Sequence, residues 1–93
     1  MKPENVNPGN YKLDCVLFNN NFFSISYGFW ENEKKCLAMR WNGENNDPGY
    51  PKVFGNPMWF IIDDNLRVPF IQSLIGQPNS NKENILKVLN ELI

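Results

Sequence analysis

Arg40, Trp41, Asp47, Tyr50, Lys52 and Phe54 fall on one short stretch, RWNGENNDPGYPKVF, interleaved with Gly43, Pro48, Gly49 and Pro51. A guanidinium, a carboxylate, a phenol and several ring faces are the parts of a small-molecule pocket, where a charge orients the ligand and a ring stacks on it. Arg40 and Lys52 beside Trp41 would also suit single-stranded nucleic acid, with a cation for phosphate and a ring for a base. A chain of formal charge −1 makes no field to attract a polyanion, so nucleic acid is expected only as a weak local contact. Asn42, Glu44, Asn45, Asn46 and Asp47 offer oxygens for calcium, but the alternating acidic spacing and distal glutamate of a calcium loop are missing. No metal and no cofactor is expected.

The chain contains no histidine, which removes the Ser-His and Cys-His nucleophile pairs and imidazole metal ligands. Two cysteines, Cys15 and Cys36, match no zinc spacing. An enzyme would have to rely on carboxylates, Lys, Tyr or Cys tuned by burial, with Arg40, Trp41, Tyr50 and Asp14 or Asp47 as its residues. Asp63-Asp64 is read as a helix cap, where carboxylates suit the positive end of the dipole.

These side chains need a scaffold. With 42% apolar and 20% charged residues, 93 residues make one globular domain. No apolar run reaches the ~20 residues of a membrane span, and MKPENVNPGN has no signal-peptide core, so a soluble cytoplasmic protein is expected. Sixteen Asn against seven Lys and two Arg reflect an AT-rich genome, bacterial or phage-like, more than chemistry. Residues 1–10, with two prolines and three asparagines, read as a flexible lead-in to a single α+β domain over residues 11–93.

Period-two alternation marks three strands. The apolar odd positions are Tyr11, Leu13, Cys15 and Leu17, then Phe23, Ile25, Tyr27 and Phe29, then Leu37, Met39 and Trp41. Three-residue loops at 19–21 and 31–33 keep odd residues opposite odd ones. They pair Phe18 with Phe22, Cys15 with Ile25 and Leu13 with Tyr27, then Trp30 with Lys34 and Gly28 with Cys36. Cys15 and Cys36 then lie on opposite faces, which excludes a disulfide between them. Cys36 is expected as a half-exposed thiol with no activating neighbour. MWFIID is a fourth strand, interior or covered on both sides.

Two helices follow. The first carries Leu66, Phe70, Ile71, Leu74 and Ile75, with Pro69 in its first turn. The second carries Ile85, Leu86, Leu89, Leu92 and Ile93 behind a Ser80/Glu83 capping box. The whole is an α+β domain, an antiparallel meander of three to four strands with both C-terminal helices on the odd face.

The opposite face carries Lys12, Asp14, Ser24, Ser26, Gly28, Cys36, Ala38 and Arg40, with Phe18, Phe22 and Trp30 at the turn ends. Small centres and bulky margins describe a shallow trough, either solvated or used as a surface. The connection over 43–56 is stiffened by Asp47-Pro48-Gly49, a type II turn with Gly at positive φ. Tyr50 and Phe54 are expected to fold down onto the trough, and Trp41 and PMWF to be core. The leading expectation is a non-catalytic binding protein acting through protein contacts, possibly as a homodimer. Arg40, Trp41, Asp47, Tyr50, Lys52, Phe54 and Trp30 are its candidate contacts. The alternatives are a small-molecule binder or His-free enzyme at the same loop, and the nucleic-acid contact above.

Overall fold

The computed structural model describes residues 1–31 and 33–92. A 3-10 turn at Pro3–Asn5 precedes β1 (Tyr11–Asn19), β2 (Phe23–Trp30) and β3 (Lys34–Trp41). Three two-residue strands follow, β4 (Lys52–Val53), β5 (Asn56–Pro57) and β6 (Phe60–Ile61). A 3-10 turn at Asp64–Leu66 then leads into α1 (Arg67–Leu74), and α2 (Lys82–Leu92) ends the described chain. The main sheet is antiparallel in the order β1-β2-β3-β6, and β4-β5 forms a separate hairpin. This is the α+β architecture the alternation implies, with MWFIID supplying a short outer strand.

The β2/β3 register is as expected, with Trp30 opposite Lys34 and Gly28 opposite Cys36. The loop proposed to join them includes Asn32, which lies outside the described residues. The β1/β2 register differs. Cys15 faces Tyr27, Leu13 faces Gly28 and Phe18 faces Ile25, because two bulges interrupt β1, one between Leu13 and Cys15 and one between Val16 and Phe18. Each extra residue reverses the parity of everything beyond it. Tyr11 and Leu13 therefore point away from the helices, whereas Cys15, Leu17 and Phe18 point towards them.

The helix side holds the main core. Leu17, Ile25, Tyr27 and Leu37 from the sheet meet Ile62, then Ile71 and Leu74 of α1 and Ile85 and Val88 of α2. Each such aliphatic side chain contributes roughly 1.5–3 kcal/mol by leaving water. Pro69 sits in the first turn of α1, as expected. The capping box does not form. Asn81 is the cap of α2, its Oδ1 accepting from the Asn84 backbone at 3.0 Å. Ser80 instead donates its hydroxyl to the Leu74 carbonyl at 2.9 Å. Asn84 Nδ2 donates to the Val16 carbonyl at 2.8 Å, and Asn81 N to the Leu17 carbonyl at 2.8 Å. These bonds occupy the outer edge of β1 at Val16 and Leu17 and protect that part of it from pairing with another chain.

The far face is neither solvated nor a trough. Val6, Tyr11, Cys36, Ala38 and Trp59 form a second core across it, with Leu13 and Ile61 at its margin. Tyr11 lies across Gly28, where a Cβ would collide with its ring and with the Lys12 carbonyl. Tyr11 Oη and Ser26 Oγ share a hydrogen bond of 2.8 Å, and Trp59 Nε1 donates to the Val6 carbonyl at 2.7 Å. Residues 1–10 thus differ from the flexible lead-in expected, since Pro3 and Val6 are buried against the sheet. Their sparse hydrophobicity hid this: one valine closes the layer.

Candidate functional site

Arg40 organises the region that the sequence singles out, from beneath it. It lies on the far face of β3 and is 1% exposed. Nη1 donates to the Met58 carbonyl at 2.6 Å, and Nη2 donates to the Pro48 carbonyl. The guanidinium carbon sits 5.9 Å from the Trp59 ring centre. Among the described residues the ion pairs are Lys34–Asp64, Lys35–Glu91 and Lys87–Asp14, none of them to Arg40. Desolvation accordingly pulls its pKa down, and Nε is buried without a partner. Arg40 therefore turns its guanidinium to backbone carbonyls and not to solvent. It ties the two sides of the 42–58 connection to the sheet and to each other.

A second anchor starts the loop. Asn42 is buried; its Oδ1 accepts from Ser24 Oγ at 2.7 Å, and its Nδ2 donates to Asn19 Oδ1 at 3.1 Å. Gly49 has φ +76°, as the Asp47-Pro48-Gly49 turn requires, and Asp47 Oδ1 accepts from its N–H at 2.8 Å. A side chain at Gly49 would collide with the Trp41 carbonyl and the Arg40 guanidinium. These constraints hold Tyr50 directly opposite Trp41, through Trp41 N to Tyr50 O at 2.7 Å and Tyr50 N to Trp41 O at 3.1 Å.

The result is a grid of side chains on the helix-side face. Phe23, Trp41 and Tyr50 form one row across β2, β3 and the loop. Met39 and Phe60 belong to the next row, two residues along the strands, where Ile25 is already core. Helices of eight and eleven residues, about 12 and 16 Å long, cover the centre of a sheet whose strands run about 26 Å. They leave this end open. Trp41 is 56%, Tyr50 65% and Phe60 56% exposed. Trp41 packs edge-on against Phe23, with centroids 4.7 Å apart. A cleft of about 140 Å³ lies between the rows, bounded by Phe23, Met39, Arg40, Trp41, Tyr50, Pro51 and Phe60.

The expected contacts are therefore sorted anew. Trp41 and Tyr50 share the shelf; Arg40 supports it from below. Asp47 is spent on its turn. Lys52 and Val53 are exposed on β4, and Phe54 is wholly exposed at the hairpin tip, so the loop does not fold its side chains down over the sheet. Trp30 sits at the opposite end of β2 and takes no part. Trp41 and Phe60, expected in the core, are surface residues, and Trp59 alone of PMWF is deeply buried. Phe23, Met39, Pro51 and Phe60 were not among the candidates. Alternation places Phe23, Met39 and Trp41 on one face, but only the helix lengths say that the face runs out of cover.

The remaining groups with chemical potential are withdrawn. Cys36 is 1% exposed rather than half-exposed, and burial pushes its thiol up to about 11; the Cys15 thiol is also raised, chiefly by burial. Both are free thiols. Asp14 turns at its bulge towards Lys87, at 3.5 Å, and is not near Tyr50 or Asp47. A larger depression of about 980 Å³ follows the outer edge of β1, but Asn81, Asn84 and Lys87 within it are committed to the fold. Among the described residues no helix is long and apolar enough to cross a membrane.

No family model, curated protein or solved structure matches the chain.

Proposed function

We propose that this chain is a small non-catalytic module that recognises another protein through the Phe23–Trp41–Tyr50–Phe60 shelf, in a reducing, cytoplasmic setting. The observation that carries the proposal is the exposure of Trp41 at the end of β3, Phe60 on β6 and, between them, Tyr50 on a loop pinned by a buried arginine. Trp and Tyr dominate the energetic centres of protein interfaces. A preorganised shelf loses little entropy when it is covered. With about 150–250 Å² per aromatic side chain, half of it exposed, the shelf offers roughly 400 Å² of ring surface. That is the scale of a functional patch on a monomer. It is about half of the ~800 Å² per partner found in a stable dimer, which favours a short segment over a second copy.

The rival readings lose support at the same site. The cleft is smaller than the roughly 300–1,000 Å³ of small-molecule pockets. The arginine that would have met phosphate is buried under backbone carbonyls. The proposal is tested by selecting a displayed random-peptide library on the wild-type chain, on Trp41→Ser/Tyr50→Ser and on Trp30→Ser. Enriched peptides should bind wild type and Trp30→Ser alike and lose the double variant. Peptides indifferent to Trp41 and Tyr50, or no enrichment at all, would overturn it.

A further inference from the structure

Resting on that recognition surface, we infer that its occupant is an extended, proline-bearing segment whose ring enters the cleft between the two side-chain rows. The first support is spacing. Rows two residues apart along a strand stand about 7 Å apart, which is twice the ~3.5 Å contact distance of carbon atoms. One ring fits between Trp41 and Tyr50 on one side and Met39 and Phe60 on the other. An aliphatic side chain of the same depth would have to freeze several rotors to enter, and a prolyl ring freezes none.

The second support is the polarity of the lining. Beyond Arg40, whose Nη1 and Nη2 are turned to the Met58 and Pro48 carbonyls, the bounding side chains are two phenylalanines, a methionine, a tryptophan, a tyrosine and a proline. Trp41 and Tyr50 bring an indole N–H and a hydroxyl on exposed side chains. No carboxylate or carboxamide side chain bounds the cleft to accept from a ligand N–H. A proline has no N–H to satisfy, and a polyproline II chain turns unpaired carbonyls outward for those two donors. Sugars, which present many hydroxyls, would find only the Tyr50 hydroxyl and the Trp41 indole N–H among these side chains. The area comparison above speaks against a second copy.

The test uses a fluorescein-labelled, end-capped peptide of alternating Leu-Pro-Pro triplets and an Ala-substituted peptide of equal length, titrated with the full chain and followed by anisotropy. The Pro peptide should bind at least tenfold more tightly than the Ala peptide. Trp41→Ala and Tyr50→Ala, both exposed and checked for folding by circular dichroism, should each weaken it tenfold or more, while Trp30→Ala leaves it unchanged. Equal affinity for the two peptides would overturn the proline assignment, as would binding insensitive to Trp41. If a soluble oligosaccharide, but neither peptide, protected Trp41 fluorescence from iodide, the occupant would be a glycan instead. Concentration-dependent dimerisation lost in Trp41→Ala would make it a second copy. Library peptides that need Trp41 and Tyr50 but contain no proline would overturn this inference alone; no shelf-dependent peptide would overturn the recognition surface with it.

Discussion

Replacing Arg40 with methionine leaves an apolar side chain in the same buried site and removes the cation from the Met58 and Pro48 carbonyls. Each of those carbonyls, if left buried without a donor, costs about 1–3 kcal/mol. The removed guanidinium was itself desolvated, as its lowered pKa indicates, so part of that cost is returned. The net expectation is a loss of about 3 kcal/mol, or a fall in Tm of at least about 10 °C for a domain of this size. Arg40→Lys should recover only part of it, since an ammonium cannot reproduce the planar fork that reaches both carbonyls. Urea unfolding gives the total. Hydrogen exchange at the Tyr50 amide, which bonds to Trp41 O at 3.1 Å, reports whether the loss is local to the loop. Binding at the shelf should fall in parallel although none of its exposed aromatics has been changed. An Arg40→Met protein of wild-type stability, with Tyr50 still protected, would refute the staple.

Three further outcomes follow from single residues. Phe54 and Gly55 are the two loop residues of the β4-β5 hairpin at φ +51° and +78°, a type I′ turn in which asparagine is favoured and phenylalanine strained. Phe54→Asn should therefore stabilise by about 1 kcal/mol and raise Tm by about 4–8 °C without altering shelf binding; a lower Tm would show that Phe54 is packed. Gly49→Ala should destabilise by about 2–4 kcal/mol in chemical unfolding, because it combines positive φ with collision against the Trp41 carbonyl and the Arg40 guanidinium. Cys36, raised by burial from 9.0 to about 11, should hold about a hundredfold less thiolate than a free thiol below pH 9. Its alkylation should rise with pH towards 11, and rapid labelling at pH 7.5 in the native state would contradict the second core.

The strands, the face given to the helices, the β2/β3 pairing and the separation of the two cysteines were legible because period-two alternation survives wherever the strand is regular. β1 departs from it. Asp14 and Leu17 look like ordinary members of an alternating run, and only the bulges beside them explain why Tyr11 and Leu17, both odd, serve different cores. The site was half legible. Trp41, Tyr50 and the stiff turn were visible as types and spacing, but Arg40 was misjudged because a cation on the strand face that also carries Lys12, Asp14, Ser24 and Ser26 looks solvated. Its burial depends on carbonyls at Pro48 and Met58, which are backbone groups common to any sequence. Val6 escaped for a related reason: it is part of no periodic pattern, yet with Trp59, which was expected in the core, it roofs the far face. The helix cap moved from Ser80 to Asn81 because Ser80 is engaged by the end of α1, a tertiary bond that outweighs the local box.

The three tryptophans test the central claim most directly. Trp41 is exposed on the shelf, Trp59 is buried with its indole on the Val6 carbonyl, and Trp30 is exposed at the far end of the same sheet. In a ¹H–¹⁵N spectrum their indole N–H signals are separate reporters. Titration with any peptide selected on the wild-type chain should shift the Trp41 signal progressively and leave those of Trp59 and Trp30 in place. A titration that moved Trp30 and left Trp41 unmoved would contradict the account.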